Sequence, residues 1–489
     1  MARRVKYSPH MMTKTSLLLS LCLLSSACVS DPDPGSGATG GDGIASQSAA
    51  VGASGTVTIR GKVFYNDRRN DGLFSTRRDP NGNPGTRCKV NGTRDDGSAC
   101  SENWLGAHYA VVDVIERDEG YGPLDVDCKQ EDLIKSVAIA SDGSFTATFT
   151  HTDRCDHDDR SRLAIALKVR LRYCGEDWGC FSINTSSNNP YFLWYPGASS
   201  SAPLLVSDGD DRTLSRMNFN PAGSSPTVAN NTTKAVNYYA SIVDTITTLN
   251  RDGGIPFYKD SFGEIQYVFP STQTSTATAK SPTLIVISST LDPSWPDGHT
   301  PAHEYGHVLM QRAWDGDYGF DGVGISCGDS SECVSRQIAF KEAWAEFIGH
   351  AVFDDTEGCG RSSFDDNAST PVPGALGSGA SFRLNVTKAL CDWYDTRNDD
   401  DSAKAGAGDH FAADDIYSMW FNLRSMYTQR AAYGGDYSGE GLWFCDYVDY
   451  YTEVRKSVSA VGAASHDEYQ AKITDLIFNN NIACNRPTP

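Results

Sequence analysis

No two cysteines in this chain are spaced CxxC, and beyond the N-terminal segment no apolar run is long enough to cross a bilayer. The first absence argues against zinc held through cysteines, and the second excludes a bundle of membrane-spanning helices. Positive charge is also scarce. Against 62 Asp and Glu stand 42 Lys and Arg, a formal net charge of −20 with a pI near 4.8. Nucleic acid and an anionic membrane surface are therefore excluded as expected partners. What the chain does have is length and sulfur. Its 489 residues suffice for about two or three domains. Its 14 cysteines are many for a cytosolic enzyme and ordinary for an exported protein.

The N-terminus agrees with export. Arg3, Arg4, Lys6 and Lys14 precede a short apolar run over 16–26, too short to span a membrane. The run ends Leu-Ser-Ser-Ala-Cys at Leu24–Cys28, which resembles a bacterial lipobox with Ser25 in place of the usual aliphatic residue. That resemblance implies a signal peptide over 1–27 and a lipid anchor on Cys28, hence an outer-membrane or cell-surface lipoprotein. An ordinary signal peptide cut near Ala27, giving a secreted protein, is the alternative. The membrane would be touched only through that lipid, and a monomer is expected. Residues 28–54, rich in Gly, Ser, Ala and Asp, cannot bury a core and read as a flexible tether.

Residues 55–222 read as all-β. Val57, Ile59, Val63 and Tyr65 alternate, as do Phe145, Ala147 and Phe149 after an Asp142-Gly143 turn signal. Leu163, Ile165, Leu167, Val169, Leu171 and Tyr173 make one period-two run, with Lys168, Arg170 and Arg172 on its other face. Several such strands suggest an N-terminal β-sandwich. The opening GTVTIRGKVFYNDRRNDG resembles the first strand of prealbumin-like or carboxypeptidase-regulatory-like sandwiches. His151, Asp153, His157, Asp158 and Asp159 cluster beside Cys155, and a solvated loop next to a disulfide accounts for them better than a metal site.

A linker over 223–231 opens the second part, 223–489. Val236, Tyr239, Ile242, Val243, Ile246 and Leu249 recur at helical spacing, Ile265, Tyr267 and Phe269 alternate as a strand, and Leu284–Ile287 is a continuous apolar strand. Ile416, Met419, Trp420, Leu423 and Met426 mark a further helix. With Cys22 and Cys28 set aside, the remaining twelve cysteines divide six and six about the linker, as two separately closed disulfide domains would require. Pairing of sequential neighbours is expected: 88–100, 128–155, 174–180, 327–333, 359–391 and 445–484.

The chemistry centres on His303-Glu304-Tyr305-Gly306-His307. On a helix the two histidines lie one turn apart and can hold one zinc ion, while Glu304 reaches a water beside it. Thr300 fits an N-cap and Pro301 the first helical position. By composition HExxH arises by chance in roughly one chain in a hundred of this length, so a third ligand is needed. A metzincin would carry glycine three residues after His307 and histidine six after; Met310 and Ala313 stand there instead. Downstream, Glu342 and Glu346 are spaced to share one helical face with Ala345 and Gly349, small residues that would let two helices approach closely.

This HExxH followed by Glu342-Ala-Trp-Ala-Glu346 resembles the gluzincin zinc metallopeptidases. The resemblance implies a C-terminal α+β peptidase domain with one catalytic Zn2+, a peptide or protein substrate, and Glu342 as third ligand. Glu346 would orient His303, with Glu346 or His350 as substitute ligands. It also implies that Leu284–Ile287 is a sheet edge pairing with extended substrate, with a plain core strand as the alternative. Glu304 would be the general base. A histidine or tyrosine from the C-terminal half would stabilise the oxyanion, and Tyr394 and His410 are the candidates. The 35 residues from His307 to Glu342 exceed the compact members of the class, and 315–333 reads as a cysteine-pinned loop near the cleft. Oxygen-bearing side chains through Asp395–Asp401 suit Ca2+, without the glycine and terminal glutamate of an EF-hand; a solvated loop is the alternative. The reading from another class is a surface binding lipoprotein whose zinc site is structural or inactive.

Overall fold

A computed structural model describes residues 55–67, 104–117, 132–150, 163–174, 179–219, 231–253, 262–272, 277–289, 299–314, 333–353, 380–394, 416–429 and five positions between 444 and 450. The signal segment, Cys28, the tether, the histidine cluster near Cys155, the loop over 315–332, the acidic stretch over 395–401 and His410 lie outside the described residues.

Twelve strands come first. They are β1 (Thr56–Asn66), β2 (Trp104–Gly106), β3 (Val111–Glu116), β4 (Asp132–Ala138), β5 (Ser144–Thr150) and β6 (Leu163–Arg170), then β7 (Arg172–Cys174), β8 (Cys180–Asn184), β9 (Phe192–Trp194), β10 (Leu204–Val206), β11 (Asp211–Thr213) and β12 (Met217–Asn218). The long helix α1 (Asn231–Gly253) follows, then β13 (Ile265–Ser271), β14 (Thr278–Ser281) and β15 (Leu284–Ser288). Helices α2 (His299–Ala313), α3 (Cys333–Phe353), α4 (Ala380–Tyr394) and α5 (Ile416–Gln429) complete the order. No described helix is long and apolar enough to cross a membrane.

Two sheets use the strands of the first part. In one, β1 pairs antiparallel with β2 and β5 and parallel with β11 and β12. The other has the order β10-β6-β3-β4, with β9 also on β6. The alternation in β1 places Val57, Ile59, Val63 and Tyr65 inside, and β5 buries Phe145, Ala147 and Phe149. The Phe145 ring meets Tyr195 edge-on, and the Tyr195 hydroxyl donates to the Ser215 carbonyl and accepts from the Lys62 N–H.

The third sheet departs from the expected division. Its order is β14-β15-β13-β8-β7, so strands from both sides of 222/223 share one ladder. β8 runs parallel to β13, with Ile265 opposite Phe181 and Tyr267 opposite Ile183. The period-two run over 163–173 is accordingly split at Leu171: β6 stays in the second sheet and β7 turns into the third. Cross-links reinforce the junction. Arg172 donates two hydrogen bonds to Glu264, at 3.2 and 2.9 Å, and the Tyr191 hydroxyl donates to the Phe269 carbonyl at 2.9 Å. The physical reason is backbone satisfaction. β13 buries every second residue, and its outer N–H and C=O row needs a partner when covered; β8 supplies it. The described residues, all from 55 onward, fall in one compact unit, and their third sheet spans the expected boundary.

Two further expectations shift. Leu284–Ile287 is an interior strand, because β14 covers it antiparallel; among the described residues β14 is the edge. α2 begins at His299, which puts Thr300 inside its first turn. Pro301 is still accommodated, since N–H groups of the first turn have no helical acceptor. The Cys174–Cys180 disulfide is present, joining directly paired residues of β7 and β8. Cys391 and Cys445 are also disulfide-bonded. The pairings expected for 88–100, 128–155, 327–333, 359–391 and 445–484 each involve residues outside those described.

α2 is held from three sides. The Arg312 guanidinium donates to the Pro282 and Gly263 carbonyls, at 2.9 and 3.0 Å, tying the last turn to the strand starts. Trp420 of α5 donates its indole N–H to the Leu309 carbonyl at 3.0 Å. α3 packs along the remaining face, and α1 contacts α2, α3 and α5. Val308, Leu309, Met310 and Trp314 are buried by this packing, as are Val236, Ile242 and Leu249 of α1.

Candidate metal centre

α2 and α3 approach each other closely at Gly306, and at Gly349 the α3 backbone receives the His299 ring of α2. A Cβ on Gly306 would lie 2.7 Å from the Ala345 Cα, and a Cβ on Gly349 would lie 2.3 Å from the His299 Nε2. Real side-chain carbons do not approach backbone that closely, so Gly306 is required for this separation. The contacts pair early α2 with late α3, so the helices run antiparallel.

That close approach brings two side-chain ladders face to face. His299, His303 and His307 recur every four residues on α2; Glu342, Glu346 and His350 do the same on α3. One turn of helix separates successive members, so each ladder lies along one face. His303, His307 and Glu342 converge with their ligand atoms within 4.8 Å of one another. Glu342 Oε2 stands 3.5 Å from His303 Nε2 and 3.6 Å from His307 Nε2. The two imidazole rings meet at 88° with centroids 4.9 Å apart. Around zinc, with bonds near 2.0–2.1 Å, tetrahedral ligand atoms are about 3.4 Å apart. Two of the three separations already match that value, and two imidazoles with one carboxylate are a donor set zinc accepts.

Glu346 stands where an orienting group would. Its Oε2 is 3.1 Å from His303 Nδ1, which leaves Nε2 turned toward His307 and Glu342. Glu304 is 6% exposed, and its Oε2 accepts a 2.7 Å hydrogen bond from the Ala279 N–H on β14.

The electrostatics follow from burial working against pairing. Burial pushes the His303 imidazolium down, but the Glu342 and Glu346 hydrogen bonds and nearby acidic charge outweigh it and raise the pKa to about 9. Burial dominates at His307, with the positive His303 adding to it, and lowers that pKa to about 4. Glu342 and Glu346 lose solvent, yet their histidine partners win and hold both well below the usual carboxylate range. Glu304 goes the other way. Burial raises its pKa despite His303 and the Ala279 N–H.

The structure thus brings together His303, His307, Glu342, Glu346 and Glu304. Tyr394 and His410 are not among the side chains described: the Tyr394 backbone ends α4, while its side chain and all of His410 lie outside the described residues. Sequence reasoning missed His299 as a ladder member and Ala279 as a partner of Glu304. The first was available, since His299 lies four residues before His303. The second was not, because a bulged strand segment such as Thr278–Ser281 carries no apolar pattern. Comparison of the chain with protein families and with curated proteins gives no match.

Proposed function

We propose that this protein is an exported zinc-dependent endopeptidase, with His303, His307 and Glu342 as the ligands of one catalytic ion. The observation that carries the reading is the convergence of those three side chains beside a buried, non-ligating carboxylate, Glu304, held from the edge strand. A structural zinc site has no use for such a carboxylate, and this weighs against the binding-lipoprotein reading. The N-terminal export signal and the disulfide-bonded cysteines support a cell-surface or secreted setting.

Zinc held there supplies Lewis-acid chemistry, acidifying water and polarising a carbonyl. The chain's own residues do the rest. Glu304 Oε2 is occupied by the Ala279 N–H, so Oε1 is the atom that takes the proton from the attacking water. Its raised pKa suits it to hold that proton until the amine leaves. Glu346 fixes the His303 tautomer through Nδ1, and its effect is to aim Nε2. β14 has a sheet partner, β15, on one side only among the described residues, and it lies against Glu304. An extended peptide adding to that edge would pass its carbonyls over the centre. This supports a peptide over a small amide as substrate, and moves the docking edge from Leu284–Ile287 to β14.

The test is cleavage of casein or a fluorogenic peptide by wild type and Glu304→Gln, with bound zinc counted in both. Cleavage by wild type and a loss of at least 100-fold in the zinc-loaded variant is expected. Equal cleavage by both, or none by zinc-loaded wild type, refutes the reading.

A further inference from the structure

The two ladders do not stop at the catalytic centre. We infer that His299, Glu346 and His350 form a second site for a divalent first-row metal ion, zinc foremost, at the far end of the same helix pair.

Three sets of distances converge on it. The ligand atoms of the three side chains lie within 4.8 Å of one another, the same closeness as in the first set. Glu346 Oε1 is 3.4 Å from His350 Nε2 and 4.0 Å from His299 Nε2. The 4.0 Å separation is beyond hydrogen-bond reach. It is about half an ångström more than the 3.4 Å between ligands of one tetrahedral zinc, a gap that a small ring rotation closes. The imidazole centroids of His299 and His350 are 5.0 Å apart, comparable with the 4.9 Å of His303 and His307.

The carboxylate of Glu346 is divided between the two ends. Oε2 faces His303 Nδ1 and Oε1 faces His299 and His350, so binding an ion through Oε1 leaves the orienting contact in place. Gly349 makes room on α3. Its missing side chain is what allows the His299 ring to lie against that backbone. The site is closed at His350, whose side chain is 4% exposed, and reaches solvent at His299, whose side chain is 21% exposed. Two imidazoles and one carboxylate suit zinc and its neighbours and do not suit calcium or magnesium, which take oxygen ligands. With only three protein donors the site keeps a position for water, so it would be exchangeable rather than a closed structural cage. Its ion would latch the first turn of α2 to the last turns of α3, and would couple to the catalytic end through the two oxygens of Glu346.

The assignment shares Glu346 with the proposed catalytic centre but does not depend on peptide cleavage, and its test counts metal. Full-length protein stripped with chelator is dialysed to equilibrium against a zinc buffer, and bound zinc per chain is measured by elemental mass spectrometry. Two ions are expected in wild type, one in His299→Ala, one in His350→Gln and one in His307→Ala. None is expected in His299→Ala/His307→Ala. His299 is the more exposed of the pair, so its truncation tests the site should His350→Gln fail to fold. One ion in wild type that disappears in His307→Ala overturns the second site and leaves the catalytic one standing. Two ions retained in His299→Ala also overturn it. One ion in wild type that survives His307→Ala but disappears in His299→Ala overturns the catalytic assignment instead.

Discussion

Zinc and a proton compete for His303, and the structure sets how hard. In the metal-free protein the Glu342 and Glu346 carboxylates keep His303 protonated up to a pKa of about 9, while His307, near 4, is neutral at pH 7. At pH 7 about 99% of His303 carries the proton that zinc must displace. Since protonation opposes binding, affinity rises with pH, tenfold per unit between roughly pH 5 and 8, and flattens above 9. Between pH 6 and 8 the gain is about 100-fold, or about 2.7 kcal/mol. An unperturbed imidazole with pKa 6.5 behaves differently: from pH 7 to 8 its gain is only about 1.3-fold, against about tenfold here. The measurement is zinc affinity by competition with a chromophoric chelator across that range. It is made in His299→Ala, so that only the catalytic end retains three ligands. Calorimetry in buffers of different ionisation enthalpy should count about one proton released per zinc at pH 7.5. Glu346→Gln removes one of the two partners that raise His303, so its plateau should begin at lower pH. A gain of less than threefold from pH 7 to 8, or release of no proton, refutes the reasoning.

Two further outcomes follow from particular contacts. Gly306→Ala places a carbon against the Ala345 backbone, where no flexible side chain can yield. The helices must part, at a cost of about 1–3 kcal/mol in stability, and zinc affinity should fall with it; unchanged melting and unchanged affinity would show that the helices are not held by this contact. Replacing Cys174 and Cys180 by alanine opens a loop of sequence separation 6. Loop-closure entropy puts the loss at about 2.4 kcal/mol, read as a lower denaturant midpoint at unchanged slope, and no shift in midpoint contradicts it.

Much of the fold is local and therefore readable. β1, β5 and β13 alternate, and α1 and α5 repeat their apolar residues at helical spacing, because burial of one face imposes its period on the sequence. The split of 163–173 into β6 and β7 is not readable, since Leu171 is apolar and in phase with both. Nor is the pairing of β8 with β13, which joins residues some 84 positions apart in parallel. Which strand forms the edge is unreadable for a related reason. Leu284–Ile287 has the apolar run, but Thr278–Ser281, with almost none, is a strand only because β15 offers it a ladder.

The same division holds at the centre. The four-residue recurrences that place His303 with His307, and Glu342 with Glu346, follow from the helical period, so the sequence by itself determined which side chains share a face. It also determined the identity of the donors, and hence the metal class they suit. Only the tertiary structure decided that the two faces oppose each other antiparallel, with Glu342 35 positions beyond His307, at a separation that Gly306 permits. Helix period is a property of adjacent backbone hydrogen bonds, whereas the approach of two helices is set by what each lacks at the crossing. That approach divides Glu346 between His303 on one side and the His299–His350 pair on the other.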